Sequence, residues 1–293
     1  MTFLSYAARG KTAWWRYILA AIFGLSGGMA LAVVAMLALI ASHLVPVDLA
    51  GELRQPRHPL IFFPIIGLIF GGVLLGFIGA TRLIQGKRFS DIIGAWRWGA
   101  FAFGAGLWLT VQSLAAFVDF VVNPAGFNIT ASNATGPLAA AALFGLAIQT
   151  FMEEFIFRGW LTQGLLLATR NPIIAALISG AVFGALHIPN GTPQAIEATA
   201  FGVVTALIAI RTGGLAFTYG LHLVNNLFGA IIVVSANDVF KGAPGLLSQH
   251  TPQLLGWDVV LGVAALLLAL WVATRWWVFS ETSPSDDDVS TFR

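Results

Sequence analysis

The chain has 293 residues, 58% of them apolar and only 10% charged, with a formal net charge of +2. Its mean hydropathy is +0.85. A soluble domain carries about 25% charged residues. These charges are too few to cover a water-facing surface, which excludes an ordinary soluble enzyme, a disordered chain and a nucleic-acid binder. What remains is an all-α protein, a polytopic transmembrane helical bundle whose main partner is the lipid bilayer. About eight spans of roughly 20 residues would use some 160 residues, and the apolar share supplies them. The absence of Cys removes disulfides, thiolate metal sites and a Cys nucleophile.

Apolar runs bounded by polar or Pro/Gly clusters predict spans at Tyr17–Val45, Pro59–Thr81, Trp98–Val122, Pro137–Thr169, Pro172–Ile188, Ala195–Ile210, Leu215–Ala236 and Trp257–Trp277. The first run is far longer than the 7–15 residues of a signal-peptide core, so it reads as a retained span. The fourth is long enough to tilt or to project past the membrane, and the short fifth and sixth suit helices buried in a bundle. Continuous rather than alternating runs argue against a β-barrel. Counting Lys and Arg between spans sets orientation. One side holds Arg9, Lys11, Arg16, Arg82, Lys87, Arg88, Arg97, Arg170, Arg211, Arg275 and Arg293, the other only Arg54, Arg57 and Lys241. Both termini are therefore expected in the cytoplasm. Trp14, Trp15, Trp96, Trp98, Trp276 and Trp277 fall at span ends, as an aromatic belt does. Three regions follow: N-terminal helices over 1–136, a core over 137–236 that holds the motifs below, and over 237–293 a loop, a last helix and a disordered acidic tail at Ser285–Asp288. The compact Ala- and Gly-rich composition without soluble domains suits a bacterial inner membrane.

Ionisable groups inside a span are costly and mark pathways or sites. Three stretches concentrate them. In Glu153-Glu154-Phe-Ile-Phe-Arg158, Glu154 and Arg158 stand at i and i+4 and can pair on one helix face. Glu153 lies about 100° around the helix without such a partner, which leaves its carboxylate free to act as a general base. The second stretch is Phe183-Gly-Ala-Leu-His187, and the third is His222-Leu-Val-Asn225-Asn226, where His222 and Asn226 share a face. The fourth and fifth spans form a hairpin turning near Arg170-Asn171. Glu153 and His187 each lie about 17 residues from that turn, so at about 1.5 Å per residue both sit at one level, ~25 Å away. His222 and Asn226 meet them only if this hairpin projects about 10 Å further into the cytoplasm. Gln112 and Gln149 read as hydrogen-bonding between helices, and His43, His58 and His250 receive no role.

Taken together, the three motifs resemble the CPBP family (CAAX proteases and bacteriocin-processing enzymes, also called ABI), whose members include the type II CAAX prenyl endopeptidases. The family pattern is Glu-Glu-x-x-x-Arg, Phe-x-x-x-His and His-x-x-x-Asn/Asp, and Glu153 to Arg158, Phe183 to His187 and His222 to Asn226 match it in order. The resemblance covers about residues 137–236. It implies an intramembrane endopeptidase acting on a membrane-associated peptide or protein. Glu153 and His187 would activate a water, His222 and Asn226 would bind the oxyanion, and Glu154 with Arg158 would hold the site together. The family's eukaryotic substrates are prenylated proteins; in a bacterium a bacteriocin, pheromone or other membrane peptide fits better. The chemistry is consistent with that assignment, because peptide hydrolysis needs an activated water and donors for the developing oxyanion.

Metal dependence stays open at the level of sequence. Glu153, His187 and His222 could supply three ligands of a catalytic Zn²⁺, yet there is no His-Glu-x-x-His helix. A mechanism with no required cofactor is favoured. Two other functions use the same residues: a proton-coupled transporter with a Glu/His relay, although paired inverted repeats are not found, and a silent membrane scaffold of the same fold.

Overall fold

The computed structural model describes residues 2–44, 59–236, 240, 243–250 and 257–280. The acidic tail and the basic residues Arg54, Arg57, Lys241 and Arg293 lie outside these, as do the side chains of Trp276 and Trp277. The helices are α1 (Phe3–Ala7), α2 (Trp14–Ala41), α3 (Pro59–Ala80), α4 (Phe89–Ile93), α5 (Trp98–Val122), α6 (Thr135–Glu153), α7 (Thr162–Thr169), α8 (Pro172–Ala185), α9 (Thr192–Thr212), α10 (Ala216–Leu227) and α11 (Trp257–Ser280). Wide π-helical turns extend α3 over Thr81–Gln85, join α6 to α7 over Glu154–Leu161, and extend α10 over Phe228–Ile232. Among the described residues five helical stretches are long and apolar enough to cross a membrane, and Pro172–Ala185, Ala216–Ile232 and Val260–Arg275 are shorter apolar helices. This supports an integral membrane protein.

Packing runs from α2 to α3, α6, α10 and α5 in turn, while α9 carries α8 on one side and α11 on the other. Large side chains such as Phe23, Leu37 and Phe117 face outward, which is affordable in lipid but not in water. The buried cluster, by contrast, is aromatic, with Phe77, Trp108, Phe155, Trp160, Phe183, Phe201 and Phe217 at its centre. Small residues let the backbones approach. A Cβ on Gly104 of α5 would run into the Phe217 carbonyl, and one on Gly220 of α10 would run into the Phe101 carbonyl. These two reciprocal contacts set the α5–α10 distance. Gly220→Ala is expected to cost about 1–3 kcal/mol by overpacking, read as a lowered unfolding midpoint in detergent.

At the end of the bundle near Arg170, α1 is buried against the segment after α3. Lys87 is 1% exposed and donates to the Ala7 carbonyl at 2.8 Å and to Gln163 Oε1 at 3.2 Å. Burial pushes the Lys87 ammonium down to about 8, against the pull of Asp91. Burial acts upward on Asp91 itself, but the hydrogen bond and charge of Arg9, 2.8 Å away, hold its carboxyl below the usual range.

The opposite end adds a small sheet to the helical bundle. Strands β1 (Phe127–Ile129), β2 (Val233–Ser235) and β3 (Leu247–Gln249) form a sheet in the order β1-β3-β2. The β1 strand pairs antiparallel with β3, with Phe127 opposite Gln249, and β2 pairs parallel with β3, with Val233 opposite Leu247. Gln249 also donates to Asp119 Oδ2 at 2.8 Å, fastening the sheet to α5. Three-residue strands are too short for a period-2 pattern to register. They arise because main-chain groups leaving the helices need partners.

Candidate active site

The apolar stretch 135–169 reads as one long helix, but it is wound wide in the middle. Over Glu154–Leu161 the backbone takes π-helical turns, a rare form common at functional sites. The Thr162 hydroxyl closes back on the Phe157 carbonyl, five residues earlier, at 2.7 Å. The chain then reverses for local reasons. Arg170 adopts a left-handed φ of 53°, and the Asn171 side chain caps α8 by accepting from the Ile173 and Ile174 amides at 2.9 and 3.1 Å. Pro172, at the first helical position, suits that start.

Glu154 and Arg158 are fully buried, with Arg158 Nε 3.4 Å from Glu154 Oε1. The expected pair is therefore present. Arg158 Nε also donates to Thr205 Oγ1 at 2.8 Å, and the guanidinium lies over the Phe183 ring at 4.1 Å from its centroid. Among the described residues the Arg158 Nη1 and Nη2 atoms have no hydrogen-bond partner.

His222 stands between the two carboxylates. Its Nδ1 is 2.8 Å from Glu154 Oε1, and its Nε2 is 3.5 Å from Glu153 Oε2. A carboxylate accepts, so Nδ1 carries the proton and Nε2 is turned toward Glu153. Phe201 packs on the imidazole, the ring centroids 4.8 Å apart. Glu153 is 8% exposed, and its Oε2 has no hydrogen-bond partner among the described residues. Glu153 faces this imidazole from α10.

His187 follows the last turn of α8. Its Nδ1 is 2.8 Å from the Phe183 carbonyl. A carbonyl cannot donate, so the ring proton sits on Nδ1 and the Nε2 lone pair is left open. Phe183 ties the motifs together, with ring centroids 4.5 Å from His187, 5.1 Å from Phe157 and 6.0 Å from His222. Contacts from Phe183 to Phe157 and Arg158 cross the hairpin at the level that residue counting gives.

Asn226 carries a surprise. Its Nδ2 donates to Gln149 Oε1 and to Thr150 Oγ1, both at 3.1 Å. Both N–H bonds are thus engaged, and an oxyanion can take one only if Gln149 Oε1 or Thr150 Oγ1 gives way. Gln149 also hydrogen-bonds the Glu153 carboxylate, one turn along the helix. Gln149 and Gln112 do bridge helices, as expected, the latter through Asn225 Oδ1 at 3.3 Å. Among the described residues no group of three His, Asp or Glu side chains is arranged to hold a metal ion, Glu153, His187 and His222 included. In His187 the Nδ1 is engaged by the Phe183 carbonyl and in His222 by Glu154, so Nε2 is the nitrogen each ring leaves for the site.

Sequence reasoning missed Thr205 and Trp108. Thr205 is one hydroxyl in an apolar run and carries no signal. Trp108 does carry one: it lies inside a span, away from either belt, and a buried indole N–H needs a partner.

Residues 135–228 match the family model of type II CAAX prenyl endopeptidase Rce1-like proteins. The uncharacterized protein YyaK of Bacillus subtilis (strain 168) is 29% identical over 280 residues, covering 89% of this chain and 93% of its own. No solved structure matches significantly. The matched segment opens on α6 and closes on α10, enclosing every residue of the Glu-Glu-x-x-x-Arg, Phe-x-x-x-His and His-x-x-x-Asn set. Over this segment the chain is similar to the family that its three motifs resemble.

Proposed function

We propose that the protein is an intramembrane endopeptidase that hydrolyses a peptide bond in a membrane-associated, CAAX-type or related peptide substrate, and that it does so in a bacterial plasma membrane. The observation that carries this reading is the Glu153 carboxylate, buried and with Oε2 unpartnered among the described residues, facing His222 Nε2 at 3.5 Å. A water beside Oε2 loses a proton to Glu153 as it attacks the carbonyl carbon. The open Nε2 of His187 accepts from the same water and orients it. The oxyanion is received by His222 and by one N–H of Asn226.

The hydrogen bonds add a constraint. Because Nδ1–H of His222 is held by Glu154, donation to the oxyanion must come from Nε2, so His222 acts as the imidazolium. Collapse of the tetrahedral intermediate breaks the C–N bond, and the proton held by Glu153 passes to the leaving amine. Glu154 and Arg158 orient His222 and do not touch the substrate.

This reading needs no metal. The test is metal content measured on the same purified sample as cleavage of a membrane peptide in liposomes. Turnover at substoichiometric zinc is expected; turnover that scales with one bound zinc per chain would replace the glutamate mechanism with a metallo one.

A further inference from the structure

Trp108 lies on α5, outside the matched segment and outside all three motifs. Its indole N–H can only donate, and it donates to Asn225 Oδ1 at 2.9 Å. Gln112 Nε2, one turn further along α5, points to the same oxygen at 3.3 Å. Two donors on one atom decide which end of the Asn225 carboxamide is oxygen. The amide nitrogen is therefore turned the other way, and it donates to Asn226 Oδ1 at 3.2 Å. That second bond decides the sense of the next carboxamide. With its oxygen held by Asn225, Asn226 presents its N–H₂ to α6, where Gln149 and Thr150 accept it.

The two ends of an Asn side chain are almost alike in shape but opposite in function. Reversed, Asn226 would offer a carbonyl oxygen where a negative charge has to be received. Packing alone does not distinguish the two orientations, because oxygen and amide nitrogen differ little in size. A donor-only group at the start of the relay does. The glycine contacts that bring α5 against α10, Gly104 on the Phe217 carbonyl and Gly220 on the Phe101 carbonyl, put Trp108 within reach of Asn225.

We propose that Trp108 is a positioning residue for peptide hydrolysis: through Asn225 it fixes the Asn226 amide with its N–H₂ turned toward the Glu153 side of the site. The role rests on the protease reading above. It extends the working site to a helix that the shared segment does not contain.

The test is a double-mutant cycle with the full-length protein in liposomes, using a quenched fluorescent farnesylated peptide ending in a CAAX sequence. Trp108→Phe keeps an aromatic ring and removes the N–H. It is expected to lower kcat by about tenfold or more, toward the 10²–10³-fold of outright donor loss, with KM within about twofold. In the Asn226→Ala background the same change is expected to alter kcat by less than about twofold, because the two residues act as one unit. Asn225→Leu, which breaks the relay without touching the indole, should reproduce the Trp108→Phe loss and serves if that variant folds poorly. Parental kcat in folded Trp108→Phe or Asn225→Leu protein overturns the proposal. So does an undiminished Trp108→Phe effect on top of Asn226→Ala, which marks a packing role. Cleavage that survives Glu153→Gln removes the protease mechanism and the positioning role with it.

Discussion

Glu153→Gln is expected to abolish turnover while leaving the protein as stable as the parent or more so. Gln has the shape of Glu but cannot take a proton from water, and general-base catalysis contributes about 10²–10⁴ in rate. The direction of the stability change follows from the surroundings. Glu153 is buried, its Oε2 has no hydrogen-bond partner among the described residues, and it shares the site with the carboxylate of Glu154. Replacing a buried carboxylate that leaves one oxygen without a hydrogen bond by a neutral amide relieves a desolvation cost. Strained groups of this kind, kept for function, characterise active sites. The measurement pairs peptide cleavage with thermal unfolding in the same detergent. Full activity in the variant would refute the mechanism. A large fall in unfolding temperature would assign Glu153 to the scaffold instead.

Arg158→Met is expected to have the largest effect on stability. Arg158 and Glu154 are both fully buried, and the guanidinium is held between Glu154, Thr205 and the face of Phe183. Removing one member of a buried ion pair leaves the other uncompensated and costs about 3–5 kcal/mol. Glu154 would keep His222 and Thr218 as partners, so His222 would be pulled into a structural role and cleavage would fall as well. The double variant Glu154→Gln/Arg158→Met is expected to recover much of the stability, because the ion pair is removed as a whole, but not the activity. Arg158→Lys should behave as a loss, since an ammonium has no planar Nε fork to share between a carboxylate and a hydroxyl. Unfolding midpoints of the parent, Glu154→Gln, Arg158→Met and the double variant give the coupling directly; additive single effects would mean that the pair is not a unit.

Much of this architecture is legible in the sequence because lipid imposes simple rules. A span must be a continuous apolar run, and an ionisable group inside it must have a reason, so Glu153, Arg158, His187 and His222 stand out against their neighbours. The constant rise of a helix makes the level of Glu153 and His187 countable from the Arg170 turn, and Phe157 does meet Phe183. Rotation about the helix axis is a different matter. The π-helical winding over Glu154–Leu161 has no sequence signature here. Which carboxylate takes which imidazole nitrogen was therefore beyond periodicity: His222 binds Glu154 through Nδ1 and only faces Glu153. The engagement of Asn226 by Gln149 depends on side-chain rotamers and not on spacing. Trp108 was readable in principle, as a tryptophan within a span instead of at its edge. The three strands lay in segments shorter than any pattern could reveal.

The small sheet has a mechanical consequence. The β1 strand leads toward the start of α6, and β2 leaves the last turn of α10; both are stitched to β3 by main-chain hydrogen bonds. Strands that flank a common neighbour lie about 10 Å apart. The helices from α6 to α10 thus make a ring whose rim is sewn shut at that end. Any parting of α6 and α10 is left to the far end, where α1 packs on α7 and α9.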